Sequence, residues 1–350
     1  MLQADRRNLP FALSGSIVEP RNLLVIHLGQ LGDVVLGIPA LDALRTAYPD
    51  SRITALTGTP ADQLVRLAGL ADEVVGVDRV ALRDGPKLKS IGEILRLARR
   101  MRSRRFDAVV DIHAFYESGL LALVTGARMR VGPRRENRSL PGAYTSTAPY
   151  DLDLHVSDRY LAVSAAAGAP ARVREPRLIP APSDLATVDA RLESAGASGA
   201  VLVGLNPGAG WENRRWPADR FIELGRRLIE DGCRIAVFAG PEEAGLGERL
   251  AEAIGVGAQA MEGLSLGQLA AALSRCHVVV SNDTGPSHIS AAVGTPTVVL
   301  MPGNAGPSPF AVRGDRHTLI HGETVLAIPL DDVDAATRRI LGRPEHPVEP

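Results

Sequence analysis

The residues Ser281-Asn-Asp-Thr-Gly-Pro-Ser-His288 lie between an apolar run, Val278-Val-Val280, and a small-residue run from Ile289 to Gly294. A buried strand that breaks at Asp-Thr-Gly and restarts as a helix points backbone N–H groups out of the sheet edge. The unpaired donors and positive dipole end of a helix's first turn make an anion site. Thr284 and Ser287 add hydroxyls, Gly285 lets a ligand approach the backbone, and His288 adds a titratable donor beside Asp283. An ordinary helix cap shares this local pattern, so its companions matter. Leu205-Asn-Pro-Gly-Ala-Gly210 runs into Trp211-Glu-Asn-Arg-Arg-Trp-Pro217. Gly208 and Gly210 free the backbone to meet a ligand, and Arg214 and Arg215 suit phosphate oxygens. Pro217 fits the first turn of the helix that follows. A glycine loop and Asp-Thr-Gly on one sheet edge point to diphosphate binding.

A third loop, His27-Leu-Gly-Gln-Leu-Gly-Asp33, ends in a carboxylate at a strand-to-helix corner facing a cleft. Asp33 there can take a proton from a substrate hydroxyl, or simply cap a helix beginning at Val34. Gly29 and Gly32 do not fit G-x-G-x-x-G, and the second strand ends Ala55-Leu-Thr57 without an acidic residue for a ribose. A nicotinamide oxidoreductase is therefore disfavoured. Asp151-Leu-Asp153 with His155 has the look of a metal site but follows no buried strand, so no metal is expected. His27 and His113 end apolar strands and read as cleft or core residues.

These loops need strands and helices to hold them. Strands are predicted at Asn22–His27, Arg52–Thr57 and Asp107–Ile112, with helices at Val34–Tyr48, Leu88–Arg105 and Asp158–Ala167. Such alternation implies parallel strands covered by helices on both faces. The proline-spaced stretch from Gly168 to Pro182 reads as a linker. The pattern then restarts, with strands at Ala200–Leu205, Arg234–Ala239, His277–Ser281 and Thr297–Met301. Helices are predicted at Ala218–Asp231, Glu242–Ile254, Leu266–Ser274, Ser287–Val293 and Asp331–Leu341; whether the last packs back on the first domain is open. Two β/α domains place a cleft between the carboxyl ends of their strands.

With 350 residues, 45% of them hydrophobic, the chain can bury about two cores. Two cysteines offer no disulfide scaffold, no apolar run reaches the ~18–20 residues of a membrane span, and the first twenty residues read as a ragged tail. A cytoplasmic enzyme is the expectation. The net charge of −1 hides an asymmetry: residues 1–168 carry 22 Lys and Arg against 18 Asp and Glu, the remainder 17 against 22. The basic excess gathers at Arg99, Arg100, Arg102, Arg104 and Arg105, then Arg128, Arg130, Arg134, Arg135 and Arg138. These are solvated faces, or they meet an anionic acceptor or membrane surface. Without interleaved aromatics, nucleic acid is not expected.

Gly32-Asp33 is followed by Ile38-Pro39-Ala40-Leu41, and Asn206-Pro-Gly208 by Arg215-Trp-Pro217 and Phe221. His155 leads through Asp158-Arg-Tyr160 to Leu161, and Asn282-Asp-Thr-Gly-Pro-Ser-His288 precedes Gly294-Thr-Pro296. From about residue 22 to about residue 340 the chain resembles the family 9 glycosyltransferases, the ADP-heptose:lipopolysaccharide heptosyltransferases. The resemblance implies an α/β GT-B fold, two Rossmann-like domains facing across a cleft. Residues 1–21 would be a tail, 22–168 the acceptor-side domain, 169–183 the linker, 184–330 the nucleotide-sugar domain, and 331–350 a C-terminal helix and tail.

By position, the resemblance makes Asp33 the catalytic base and places Asp283, Thr284, Gly285, Ser287 and His288 with Gly208, Gly210, Arg214 and Arg215 on the donor side. Arg214 stands where similar enzymes usually have lysine, exchanging a point charge for a planar fork, and Gly210 replaces a hydroxyl residue common among them. Glu243, after Gly240-Pro241, matches an acidic position for the nucleoside or sugar, with Glu242 as the neighbouring candidate. Gly32, His113, Arg134 and Arg135 fall on the acceptor side. The implied reaction is inverting and metal-independent, moving a heptose or related sugar from an ADP-sugar to a lipopolysaccharide core-type acceptor. It needs no cofactor beyond the nucleotide-sugar co-substrate. The implied partners are that nucleotide sugar and a glycolipid or oligosaccharide acceptor, with peripheral contact to the inner membrane. The alternatives are another nucleotide sugar and acceptor, or a nucleotide-sugar-binding protein without turnover, against which the intact Asp33 argues.

Overall fold

The structure, a computed structural model, describes residues 19–78, 87–135, 139–170, 172, 174–303 and 308–343. The predicted N-terminal tail up to residue 18 and Arg138 lie outside the described residues. Among the described residues, twelve strands form two sheets of six. The first contains β1 (Asn22–His27), β2 (Arg52–Gly58), β3 (Glu73–Val77), β4 (Ala108–Asp111), β5 (Met129–Pro133) and β6 (Ser146–Ala148), in the order β3-β2-β1-β4-β5-β6. The second contains β7 (Leu202–Asn206), β8 (Arg234–Phe238), β9 (Ala258–Met261), β10 (Val278–Asn282), β11 (Thr297–Pro302) and β12 (Thr318–Gly322), in the order β12-β11-β10-β7-β8-β9. All pairings are parallel. Central strands such as β1 and β7 are buried on both faces, which is why they read as continuous apolar runs.

The helices are α1 (Leu31–Ala47), α2 (Asp62–Ala68), α3 (Lys87–Ser103), α4 (Tyr116–Thr125), α5 (Val156–Ala166), α6 (Pro182–Ser194), α7 (Ala218–Glu230), α8 (Leu246–Ile254), α9 (Leu266–Arg275), α10 (Gly285–Ala292) and α11 (Leu330–Ile340). In each sheet the order in which successive strands are added reverses at two adjacent central strands, β1/β4 and β7/β10. Ligands of open parallel sheets bind at such points, and the three loops singled out above all emerge there.

Two expectations are corrected and one open question is answered. Helix α1 starts at Leu31 rather than Val34, because Gln30 and Asp33 cap it reciprocally, the Asp33 carboxylate accepting from the Gln30 N–H at 3.1 Å. The helix expected over Glu242–Ile254 is divided into a 3-10 turn, Pro241–Glu243, and α8. Gly245 interrupts it with φ +78°, and the Glu262 carboxylate accepts the N–H groups of Gly245, Gly247 and Glu248 at 2.9, 2.6 and 3.3 Å. Helix α11 packs on the second sheet and α7, where Arg338 meets Asp231 at 2.5 Å and Asp334 at 2.9 Å.

The linker binds both halves. Leu178 N–H donates to the Ala292 carbonyl at 2.9 Å and Ile179 N–H to that of Leu67 at 3.0 Å. Helix α1 packs against both α5 and α10, and one buried apolar cluster includes Leu36 and Val163 from the first half with Leu273, Ile289 and Ala292 from the second. Both cysteines are buried. No helix among the described residues is long and apolar enough to cross a membrane.

Candidate active site

The N-terminus of α1 meets the N-terminus of α10. A Cβ added to Gly285 would lie 3.1 Å from the Leu31 Cβ, and one added to Gly32 would lie 3.0 Å from Cδ2 of His288. A side chain at either position would press on its neighbour, so the two glycines ease the close approach of the helix starts, both positive dipole ends. Asp33 sits half-buried in the first turn of α1, so the carboxylate is at once a helix cap and part of the meeting point. Behind it lie His27, His113 and Tyr160: the His27 ring is edge-on to His113 at 5.4 Å and to Tyr160 at 5.1 Å. Burial raises the Tyr160 phenol well above its ordinary value, and the neighbouring Asp33 charge pushes the same way.

On the second half, Asn282 at the end of β10 is fully buried and ties the loops after β7 and β10 together. Its amide donates to the Pro207 carbonyl at 2.8 Å, and its oxygen accepts from the Trp216 N–H at 3.0 Å. Asn206 at the end of β7 donates to Ser281 Oγ at 2.9 Å and Thr284 Oγ1 at 3.2 Å. Neither asparagine was among the site residues expected from sequence. Their signal was an amide at the end of each of two buried strands, where an unpaired polar side chain would be costly.

The helix start is narrower than the motif suggested. Pro286 has no N–H, and that of Ser287 bonds the Thr284 carbonyl at 3.1 Å, leaving those of Thr284 and Gly285 to meet a ligand. The Ser287 hydroxyl is fully buried and donates to that same carbonyl at 2.7 Å, so it shapes the turn. His288 is 6% exposed, and burial together with the nearby His155 brings its pKa down to about 4. It is neutral at pH 7, a donor without a charge. Burial also raises the Asp283 carboxyl, while the positive charge of Arg214 opposes that rise.

The two arginines part company. Arg214 is exposed, whereas Arg215 donates from Nε to the Ala209 carbonyl at 2.9 Å and lies 3.6 Å from Glu243. Glu243 also crosses the glycine loop, its carboxyl 2.9 Å from where a Gly208 Cβ would stand. A Cβ at Gly210 would meet nothing within 4 Å, so that glycine is not sterically required.

In the first half Arg135 reaches the His113 carbonyl at 2.9 Å and lies over the Tyr150 ring at 4.7 Å, while Arg134 is exposed. His155 caps α5: Nδ1 accepts from Ser157 N–H at 3.2 Å and Nε2 is 2.9 Å from the Ala311 carbonyl. Asp151 accepts the Asp153 N–H at 2.9 Å in a local turn. Among the described residues no group of three or more His, Cys, Asp or Glu is arranged to hold a metal ion.

Residues 94–319 match the model of glycosyltransferase family 9 (heptosyltransferase). Lipopolysaccharide heptosyltransferase 2 of Salmonella typhimurium is 25% identical over 345 residues, 91% of this chain and 96% of that protein. The crystal structure of a family 9 glycosyl transferase from Veillonella parvula matches with a TM-score of 0.83 at 23% identity, covering 92% of this chain and 97% of that one. Escherichia coli heptosyltransferase WaaC with ADP-2-deoxy-2-fluoro heptose matches with a TM-score of 0.74 at 19% identity, covering 92% and 99%. These structures share the GT-B fold described above, two parallel α/β domains meeting at their strand ends.

Proposed function

The chain belongs to glycosyltransferase family 9, and on that premise we propose that it transfers a heptose from ADP-heptose to a lipopolysaccharide core acceptor, with inversion and without a metal. The observation that supports this most is the meeting of the first turn of α1, which carries Asp33, with the start of α10, where Leu31 and Gly32 approach Gly285 and His288. Asp33 accepts the proton of an acceptor hydroxyl, whose oxygen attacks the anomeric carbon from the face opposite the departing nucleoside diphosphate. The N–H groups of Thr284 and Gly285, neutral His288 and cationic Arg214 stand where the leaving diphosphate gathers charge, a role that fixed dipoles perform without reorganisation. Asp283 and Glu243 face the sugar or nucleoside as hydroxyl acceptors.

Arg214 supplies the exposed positive charge of this site. Arg214→Ala should weaken ADP binding by about 1.5–3 kcal/mol, the scale of a charge-assisted hydrogen bond. Calorimetry showing unchanged affinity would place the diphosphate elsewhere.

We also propose that the enzyme works from the cytoplasm against the membrane surface that holds its acceptor. Arg104 is bound to Glu73 at 2.5 Å, with Arg100 3.5 Å from the same carboxylate, Arg102 donates to the Val124 carbonyl at 3.1 Å and Arg130 to the Ala127 and Ala143 carbonyls. Arg99, Arg100 and Arg102 are nonetheless exposed on α3, as are Ile94 and Leu95, and Arg105 is exposed just beyond it. One experiment tests both readings: ADP-heptose is supplied to heptose-deficient lipopolysaccharide in anionic or neutral vesicles, with excess EDTA. Transfer should persist in EDTA, run faster on anionic vesicles and lose that advantage in salt, where the screening length is ~8 Å at physiological strength and shorter above it. Loss of activity restored by Mg²⁺ would overturn metal independence. Transfer from a different nucleotide sugar only would establish the alternative donor. Equal rates on both vesicles would leave the arginines as solvated faces.

A further inference from the structure

The turn between β4 and α4 is held by a buried carboxylate that the chemistry above does not use. Asp111 is 0% exposed at the last position of β4, one strand over from Ile26 in register. Its Oδ1 accepts the N–H groups of His113 at 3.2 Å and Ala114 at 2.8 Å, and its Oδ2 accepts the Tyr144 hydroxyl at 2.6 Å. Ala114 has φ +51°, a left-handed conformation that alanine adopts only when its surroundings hold it there. The Tyr144 ring lies so close to β5 that a Cβ on Gly132 would stand 2.7 Å from it. The turn built on this pair presents a wall beside Asp33: the His113 ring stacks on Phe115 at 4.3 Å with 18° between planes, and the His113 carbonyl receives Arg135. Arg135 in turn lies 6.0 Å from the Phe115 ring and 4.7 Å from that of Tyr150.

We propose that Asp111, paired with Tyr144, is a positioning residue that sets the His113–Phe115–Arg135 wall against which the acceptor sugar lies. The inference rests on the acceptor-side reading given under the proposed function. Asp111 touches no substrate; it fixes two backbone N–H groups and one hydroxyl, and through them two rings and a guanidinium. Burial raises the carboxyl, and the Ser118 and Tyr144 hydroxyls with the Ala114 and His113 N–H groups oppose that rise.

The test uses Asp111→Ala, Asp111→Asn and Tyr144→Phe in the full chain, with O-deacylated heptose-deficient lipopolysaccharide as the acceptor probe. Asp111→Ala should raise the acceptor KM at least ~10-fold with the ADP-heptose KM unchanged, the split expected when one substrate's positioning is lost. Tyr144→Phe, which keeps the ring packed on β5 and therefore the fold, should raise it ~3-fold. Asp111→Asn should restore most of the loss, since an amide oxygen still accepts both N–H groups and its NH₂ can donate to the Tyr144 oxygen. A fall in kcat with both KM values unchanged, or no change in any variant, would overturn the proposal. A second readout needs no acceptor: the ring-current shift of the His113 Cε1 proton, from its stack on Phe115, should collapse in Asp111→Ala and diminish in Tyr144→Phe. Absence of transfer by the unmodified enzyme would overturn the functional reading instead, and a retained His113 shift in both variants would then still overturn the role of Asp111.

Discussion

Asp33→Asn should lower kcat by at least ~100-fold, the typical contribution of a positioned general base, while ADP affinity stays at the level of the unmodified enzyme. The substitution separates two jobs that one carboxylate performs. As a cap, Asp33 accepts the Gln30 N–H at 3.1 Å in the first turn of α1. The asparagine oxygen can accept the same bond, so the cap survives apart from the charge–dipole part, about 0.3–1 kcal/mol. As a base it must take a proton, which an amide cannot do. A folded Asp33→Asn protein with near-normal turnover would reduce Asp33 to a helix cap. Retained ADP binding with lost turnover would assign it to chemistry. Substrate saturation curves for both substrates, with a melting curve as control, distinguish these outcomes.

The strands around these loops were legible because parallel sheets bury both faces, so β1, β7, β10 and β11 are written as unbroken apolar runs. The predicted strands flanking the switch points agree with the structure to within two residues at each end. Edge strands were not legible: β9, Ala258-Gln-Ala-Met261, and β12, Thr318-Leu-Ile-His-Gly322, are only partly buried, and that pattern resembles a loop. Within the site, the glycine loops and Asp-Thr-Gly declared themselves by residue type. What stayed hidden depended on partners far away in sequence. Adjacent Arg214 and Arg215 look equivalent, yet a carbonyl at Ala209 and the carboxylate of Glu243 claim one of them and leave the other exposed. Asn206 and Asn282 bridge 75 residues to hold two loops in one place. Asp111 reads as the polar end of an apolar strand until Tyr144, 33 residues on, is seen to donate to it.

Lowering the pH from 7.5 to 4.5 should cost this protein on the order of 2–3 kcal/mol of stability through His288 alone. An unfolded histidine titrates near its ordinary value of 6.5, whereas burial beside His155 holds the folded His288 at about 4. Between those values the unfolded chain binds a proton that the folded chain refuses, so stability falls as pH drops through this window and the loss ends below about 4. Each unit of separation is worth ~1.4 kcal/mol, which sets the magnitude. Carboxylates such as Asp158, held low by Arg313, add their own acid sensitivity; the difference between the unmodified protein and His288→Gln isolates the histidine. Urea unfolding at both pH values should show the variant losing less, and parallel losses would mean that His288 titrates normally. The placement of the ring adds a second consequence. His288 packs on Gly32 where the positive ends of α1 and α10 meet, so an imidazolium there is repelled until an anion arrives. A diphosphate bound at Thr284 and Gly285 would raise the His288 pKa, and by linkage ADP should then bind more tightly as pH falls from 6.5 toward 5, with uptake of a fraction of a proton. Calorimetry in buffers of different ionisation enthalpy reads that uptake directly. Zero uptake in the unmodified protein, or uptake unchanged in His288→Gln, would separate this histidine from the diphosphate.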